Sequence, residues 1–299
     1  MSSLTSVTAF ASPSLSSCDS VAVFGCGVLG TSLCKQILSC PDFQNKSVTA
    51  ITKTTTNHEK ILSNFENCDN FNVVTMDSIK GKEKFDSVVF CAPPSGFEDY
   101  PGAVREVAES LWSGPENGRF VFTSSGGIYG PGNGDIVDET SPLPESSKAS
   151  PRSMRLIQAE EVVKEKNGAV LRLAGLYTLE RGAHNFWLEK SDGNVKGSKD
   201  GIINLLHYDD AAGSCLAALT TENDIQGKTY LISDSNPTTR YGICESALKS
   251  KRYADKTMPS FGESDAGGKG KIYNGKYSNK QLGFVPRYES FDEFMEANK

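Results

Sequence analysis

The stretch Val21-Ala22-Val23-Phe24-Gly25-Cys26-Gly27-Val28-Leu29-Gly30 decides the reading of this chain. Its four leading apolar residues suit a strand buried on both faces, as a central parallel strand is. The glycines then make a tight turn into a helix that places Leu29, Leu33 and Ile37 on one face. In such a turn Gly25 permits the bend, Gly27 lets backbone approach a pyrophosphate, and Gly30 lets the helix pack close to the strand. The free N–H groups and dipole of the helix N-terminus then favour phosphate. Gly25, Cys26, Gly27, Val28, Leu29 and Gly30 are therefore the first candidate dinucleotide-binding residues.

Working outward, the β-rich runs Ser47–Thr52, Asn72–Thr75, Ser87–Ala92, Arg119–Thr123 and Ala169–Leu173 read as further strands. A helix from Pro101 to about Trp112 and another from Pro151 to Lys166 lie between them. Strands and helices alternating in this way predict an α/β doubly wound parallel sheet. The Pro-, Gly- and Ser-rich stretch Pro131–Ala149 reads as an exposed loop. The expected organisation is a leader at 1–18, a dinucleotide-binding Rossmann domain at 19–235, and a small substrate lobe at 236–299 to which 178–203 contribute. A substrate would sit where that lobe covers the strand ends.

Composition narrows the class. The chain has 299 residues, 37% of them hydrophobic, and a net charge of −6. The pI is near 5.3. No basic stripe offers a nucleic-acid surface, and no run of about 18 apolar residues offers a membrane span. The cysteines (Cys18, Cys26, Cys34, Cys40, Cys68, Cys91, Cys215 and Cys244) include no C-x-x-C pair, so no metal site is expected. They fit a reducing compartment, with Cys26 read as a packed thiol that is oxidation-sensitive in the alternative. Residues 1–18 contain seven Ser and two Thr and no charge, a composition that buries little. The expected location is the cytoplasm, with a plastid as the alternative, since plastid leaders are Ser-rich but ordinarily carry arginine.

The second strand bears on coenzyme choice. NAD-selective turns place a carboxylate about 20 residues past the glycines, on the ribose hydroxyls. Here Thr52-Lys53-Thr54-Thr55-Thr56 stands there instead. Lys53, with the Thr52 hydroxyl, would attract a 2′-phosphate, so NADP is expected and NAD is the alternative. Asp77, after the third strand, is a candidate acceptor for the adenine amine or an ordinary turn residue.

The fifth strand continues as Thr123-Ser124-Ser125-Gly126-Gly127-Ile128-Tyr129-Gly130, and Asp138-Glu139-Thr140-Ser141-Pro142, Ala159-Glu160, Leu171 to Tyr177 and Asn204 to Ala212 follow in order. With the tail from Gly275 to Tyr288, these segments resemble the extended and atypical branches of the short-chain dehydrogenase/reductase superfamily, the NAD(P)-dependent epimerase/dehydratase-like group. The resemblance covers nearly everything after residue 20. It implies a nicotinamide coenzyme, a small-molecule substrate and often a homodimer formed through helices flanking the fifth strand. It places Ala92, Pro93 and Pro94 along the coenzyme ribose and Ala174, Gly175 and Leu176 against the nicotinamide.

Members of that group hold a substrate oxygen with Ser or Thr and move its proton with a Tyr-x-x-x-Lys helix. A free tyrosine titrates near about 10, and an adjacent ammonium lowers that value. In this chain no Tyr is followed four residues later by Lys. With Glu160 set on the group's helix glutamate, Arg152 falls at the tyrosine position and Leu156 at the lysine position. Ser125, with Ser124 beside it, matches the hydroxyl position. Tyr129 is a replacement proton donor or part of the pocket wall, and Arg152 or Arg155 is suited to a substrate carboxylate or phosphate. Arg155 reads better as an exposed helix residue. His207 reads as a structural histidine, His58 and His184 as loop residues, and Asp209 and Asp210 as helix N-cap residues. Two functions follow: an NADP-dependent oxidoreductase or epimerase, or a non-catalytic NADP-binding redox sensor.

Overall fold

A computed structural model describes residues 18–264 and 268–299. The expected leader at 1–18 therefore lies outside the described residues except for Cys18. The central sheet holds β1 (Ser20–Phe24), β2 (Ser47–Thr52), β3 (Phe71–Thr75), β4 (Ser87–Phe90), β5 (Phe120–Ser125), β6 (Ala169–Leu173) and β7 (Thr229–Ile232). They lie in the order β7-β6-β5-β4-β1-β2-β3. Every neighbouring pair is parallel. The order reverses between β1 and β4, and that switch point opens a crevice at the strands' carboxyl ends.

Alternation along each strand sends side chains to two helical layers. Val21, Val23, Val48, Ala50, Val121 and Leu171 face one layer. There they meet Leu33 and Ile37 of α1 (Val28–Ser39) and Ala211 and Cys215 of a helix at Tyr208–Thr220. Ala22, Phe24, Val88, Phe90, Phe120 and Phe122 face the other layer, formed by α2 (Tyr100–Leu111) and α3 (Pro151–Glu165). Both of these helices begin with an early proline and a side-chain cap. Asp99 accepts from the Gly102 N–H at 2.9 Å and Ser150 from the Ser153 N–H at 3.1 Å.

The later chain builds a smaller cluster around Tyr177, Leu205, Ile243, Tyr253, Phe291 and Phe294. Residues 236–299 do not all join it, because Leu282 and Phe284 return to the α1 face of the sheet. No helix among the described residues is long and apolar enough to cross a membrane.

Several local expectations need correction. Pro131–Ala149 is not loop throughout, since Asn133–Val137 forms a strand parallel to Gly270–Tyr273. His58 opens the helix His58–Leu62, and His184 is buried in the helix Ala183–Glu189. Its Nε2 lies 3.0 Å from the Leu179 carbonyl, and burial lowers its pKa. Asp209 and Asp210 are not the N-cap of Tyr208–Thr220. His207 is, accepting from the Asp209 N–H at Nδ1 (3.1 Å), with burial lowering its pKa. Asp210 instead ties down the tail by accepting from the backbone N–H groups of Arg287 and Tyr288.

Candidate functional site

The β1–α1 turn shows why glycine stands where it does. Gly25 has φ +93°, and a Cβ there would come within 2.5 Å of the Ala92 nitrogen. A Cβ on Gly30 would meet the Gly25 carbonyl oxygen at 2.5 Å. Gly27 faces open space. The turn is thus pinned between Ala92, just past β4, and its own helix on two sides and open on the third, where backbone N–H groups at the start of α1 lack intrahelical partners.

That open side is one wall of a cleft of about 1210 Å³ running along the carboxyl ends of the strands. Gly25, Cys26, Gly27, Val28 and Leu29 form its floor, Thr52 and Lys53 one end, and Ala92, Pro93, Pro94, Ala174, Gly175 and Leu176 its length. Ser124, Ser125, Arg152 and Leu156 lie along the same cleft. Gly30 does not line it and acts through packing alone. Asp77 is absent from the lining and sits in the first turn of the short helix Met76–Ile79.

The two serines differ. Ser124 is buried and its Oγ donates to Glu160 Oε1 at 2.6 Å. Glu160 in turn holds Arg172 through Oε1 and Oε2 at 2.7–3.2 Å, and Arg172 Nη1 donates to the Tyr129 hydroxyl at 2.9 Å. Burial opposes the Arg172 charge, but Glu160 and Tyr129 outweigh it and raise its pKa. Ser125 Oγ accepts from the Gly127 N–H at 3.2 Å. No acceptor holds its proton among the described residues, so it is free to donate into the cleft.

Tyr129 does not reach the cleft. It is buried, its hydroxyl donates to the Asp138 carbonyl at 2.6 Å, and burial raises its pKa. A phenol so held is a strut of the β5 turn. Arg155 is half-buried rather than exposed, donating to the Phe97 carbonyl and lying over the Tyr100 ring. Cys26 is buried, and a hydrogen bond with Cys34 outweighs burial to lower its thiol pKa.

Sequence reasoning missed Lys35, Lys60, Arg181 and Tyr208, which also line the cleft. No short motif marks them, because each arrives from a different element. Lys35, Lys60 and Arg181, together with Lys53 and Arg152, make its lining cationic, since Asp209 is the one carboxylate in it. Among the described residues no group of His, Cys, Asp and Glu is arranged to hold a metal ion.

Sheet order, glycine turn and switch-point cleft define a Rossmann-type α/β fold. No family model matches the chain. It is 27% identical over 208 residues to Protein YeeZ of Escherichia coli (strain K12), a match covering 64% of this chain and 66% of that protein. The chain thus spans just under two thirds of that relative's length. It is similar in structure to UDP-glucuronic acid 4-epimerase from Bacillus cereus in complex with NAD, with TM-score 0.71 at 16% identity over 93% of this chain and 95% of that one. DesIV, a dTDP-glucose 4,6-dehydratase from Streptomyces venezuelae with NAD and TYD bound, gives 0.72 at 17% identity over 93% and 95%. A functionally unknown conserved protein from Silicibacter pomeroyi DSS gives 0.70 at 18% identity over 93% and 97%.

Proposed function

We propose that this chain is an NADP-dependent oxidoreductase or epimerase-like enzyme acting on a small molecule. The observation that carries the proposal is Ser125, whose hydroxyl is oriented by the Gly127 N–H in the same cleft as the open glycine turn. The N–H groups at the start of α1 would hold a dinucleotide's diphosphate, and Ala174-Gly175-Leu176 would back its nicotinamide. Such a coenzyme, when bound, supplies the hydride transfer. Ser125 then donates a hydrogen bond to a substrate carbonyl or alcohol oxygen and fixes it for that transfer. Lys53 at the end of β2, with Lys60 nearby in the lining and no carboxylate at that strand end, favours a 2′-phosphate over a free ribose hydroxyl.

Calorimetric titration with NADPH, NADP⁺ and NADH tests the coenzyme half of the reading, and absence of binding by all three overturns it. Once a substrate is found, Ser125→Ala should slow turnover and leave coenzyme affinity within about twofold; unchanged turnover counts against the catalytic half.

A second reading, a non-catalytic NADP-responsive protein, is favoured by one observation. The tyrosine nearest the serines in sequence is locked to Arg172 and Asp138, and Leu156 lines the cleft where the resemblance sets a lysine. On this reading NADPH and NADP⁺ produce different oligomeric or partner-binding states, measurable by light scattering during titration. Identical behaviour in the apo and both liganded forms removes it.

A further inference from the structure

Arg152 and Arg181 both line the cleft that Ser125 lines, and they reach it from separate elements. Arg152 belongs to the first turn of α3, and Arg181 to the turn between the strand Gly175–Tyr177 and the helix Ala183–Glu189. Neither guanidinium has a hydrogen-bond or ion-pair partner among the described residues, in a protein whose other arginines include the buried, doubly bound Arg172. The lining offers no carboxylate to them except Asp209, and that group accepts from the Ser32 hydroxyl at 2.6 Å. The lysines cannot be the counterpart of the same charge, because Lys35, Lys53 and Lys60 come from α1, the end of β2 and the helix after it. A dinucleotide's phosphates would meet those elements. Two permanent cations are left over in the same cleft as the Ser125 hydroxyl, which is free to donate.

Guanidinium is a planar fork that pairs with carboxylate or phosphate through two parallel hydrogen bonds. We infer that Arg152 and Arg181 form an oxyanion clamp, so that the substrate is a small molecule carrying a carboxylate or phosphate group beside the oxygen that Ser125 holds. This assignment deepens the enzymatic reading and rests on it for the word substrate, though the clamp itself is a binding site with or without coenzyme. It also explains the residue at the position where the resemblance sets a proton-moving tyrosine: an arginine there cannot donate its proton in water, but it anchors charge.

Malonate and inorganic phosphate serve as probes, titrated calorimetrically into the full chain at constant ionic strength, both without coenzyme and with saturating NADPH. At least one probe should bind the wild-type protein, and Arg152→Gln and Arg181→Gln should each weaken it at least tenfold, with NADPH affinity kept within about twofold. Preference for malonate identifies a carboxylate site, and preference for phosphate a phosphoryl site. Both side chains are exposed, so the variants should fold, and their melting temperatures check this. Absence of binding by both probes overturns the clamp, as does binding that survives in the double variant, which would belong to the glycine turn. Failure of NADPH to bind while the probes respond to both substitutions would sink the coenzyme reading and leave the clamp standing.

Discussion

Ser124 Oγ donates to Glu160 Oε1 at 2.6 Å, and this bond separates two adjacent serines into different tasks. Alternation at the end of β5 turns Ser124 inward to the buried ion pair and leaves Ser125 facing the cleft. Ser124→Ala should therefore lower stability by about 1–3 kcal/mol, because a buried carboxylate oxygen loses a donor. Ser125→Ala should cost less, about 0.5–1 kcal/mol, because it loses only the cap that accepts the Gly127 N–H and strands no buried charge. Urea denaturation of both variants makes the comparison, and equal losses would contradict this division.

Glu160 and Arg172 are both almost wholly buried, with side-chain exposures of 2% and 4%. Removing one partner strands the other charge in a low dielectric. Glu160→Gln should cost about 3–5 kcal/mol, while Glu160→Leu combined with Arg172→Met should recover much of that loss. Denaturant midpoints for the single and double variants read the difference directly. A double variant no better than the single would show that Tyr129 and Ser124 matter more to the fold than the charges do.

Gly30→Ala places a methyl group 2.5 Å from the Gly25 carbonyl, and that backbone has little room to give because Ala92, just past β4, packs against Gly25 from the other side. The expected result is a melting temperature several degrees lower together with loss of dinucleotide binding. Gly27→Ala meets nothing in the protein, so it should melt as wild type does and yet weaken coenzyme by at least tenfold. Thermal melts with and without NADPH separate steric damage to the turn from obstruction of a ligand.

The sheet was legible because its signal is local. Val21 to Phe24, Ser47 to Thr52 and Ala169 to Leu173 are runs dominated by apolar or β-branched residues, and each became the expected strand within a residue or so. Asn133–Val137 was not legible. It carries Gly134 and Asp135, and only pairing with Gly270–Tyr273, more than a hundred residues away, makes it a strand. Burial decided the other misreadings. Tyr129 looks like a proton donor until Arg172 and the Asp138 carbonyl take up its hydroxyl, and Arg181 has no motif because the fold alone brings it into the cleft.

Lys53 now donates to the Gly96 carbonyl at 3.0 Å and lies over the Phe97 ring, bridging the cleft near its β2 end. An exposed contact of that kind is weak, so a dianionic phosphate should displace it readily. Lys53→Glu is expected to lower NADPH affinity at least tenfold and to change NADH affinity by less than threefold. Parallel titrations check this, and an equal fall for both coenzymes would mean that Lys53 only shapes the cleft wall.

Asp234 gives the clearest dependence on pH. It follows β7, one oxygen accepts from the Asn236 N–H at 2.9 Å, and the other is buried without a partner. Burial raises its pKa from 3.8 to about 7, with Asp210 nearby adding to the shift. The folded protein thus holds this proton more tightly than the unfolded chain. The stabilisation is complete below the unfolded value, declines as pH rises, and is gone above about 7. Asp234→Asn keeps the accepting oxygen and cannot ionise. Its stability relative to wild type should be near zero at about pH 4 and favour the variant by about 2–4 kcal/mol at about pH 8. Urea denaturation at the two pH values measures the gap, and a gap that does not widen with pH would show that the buried oxygen already has a partner for its charge.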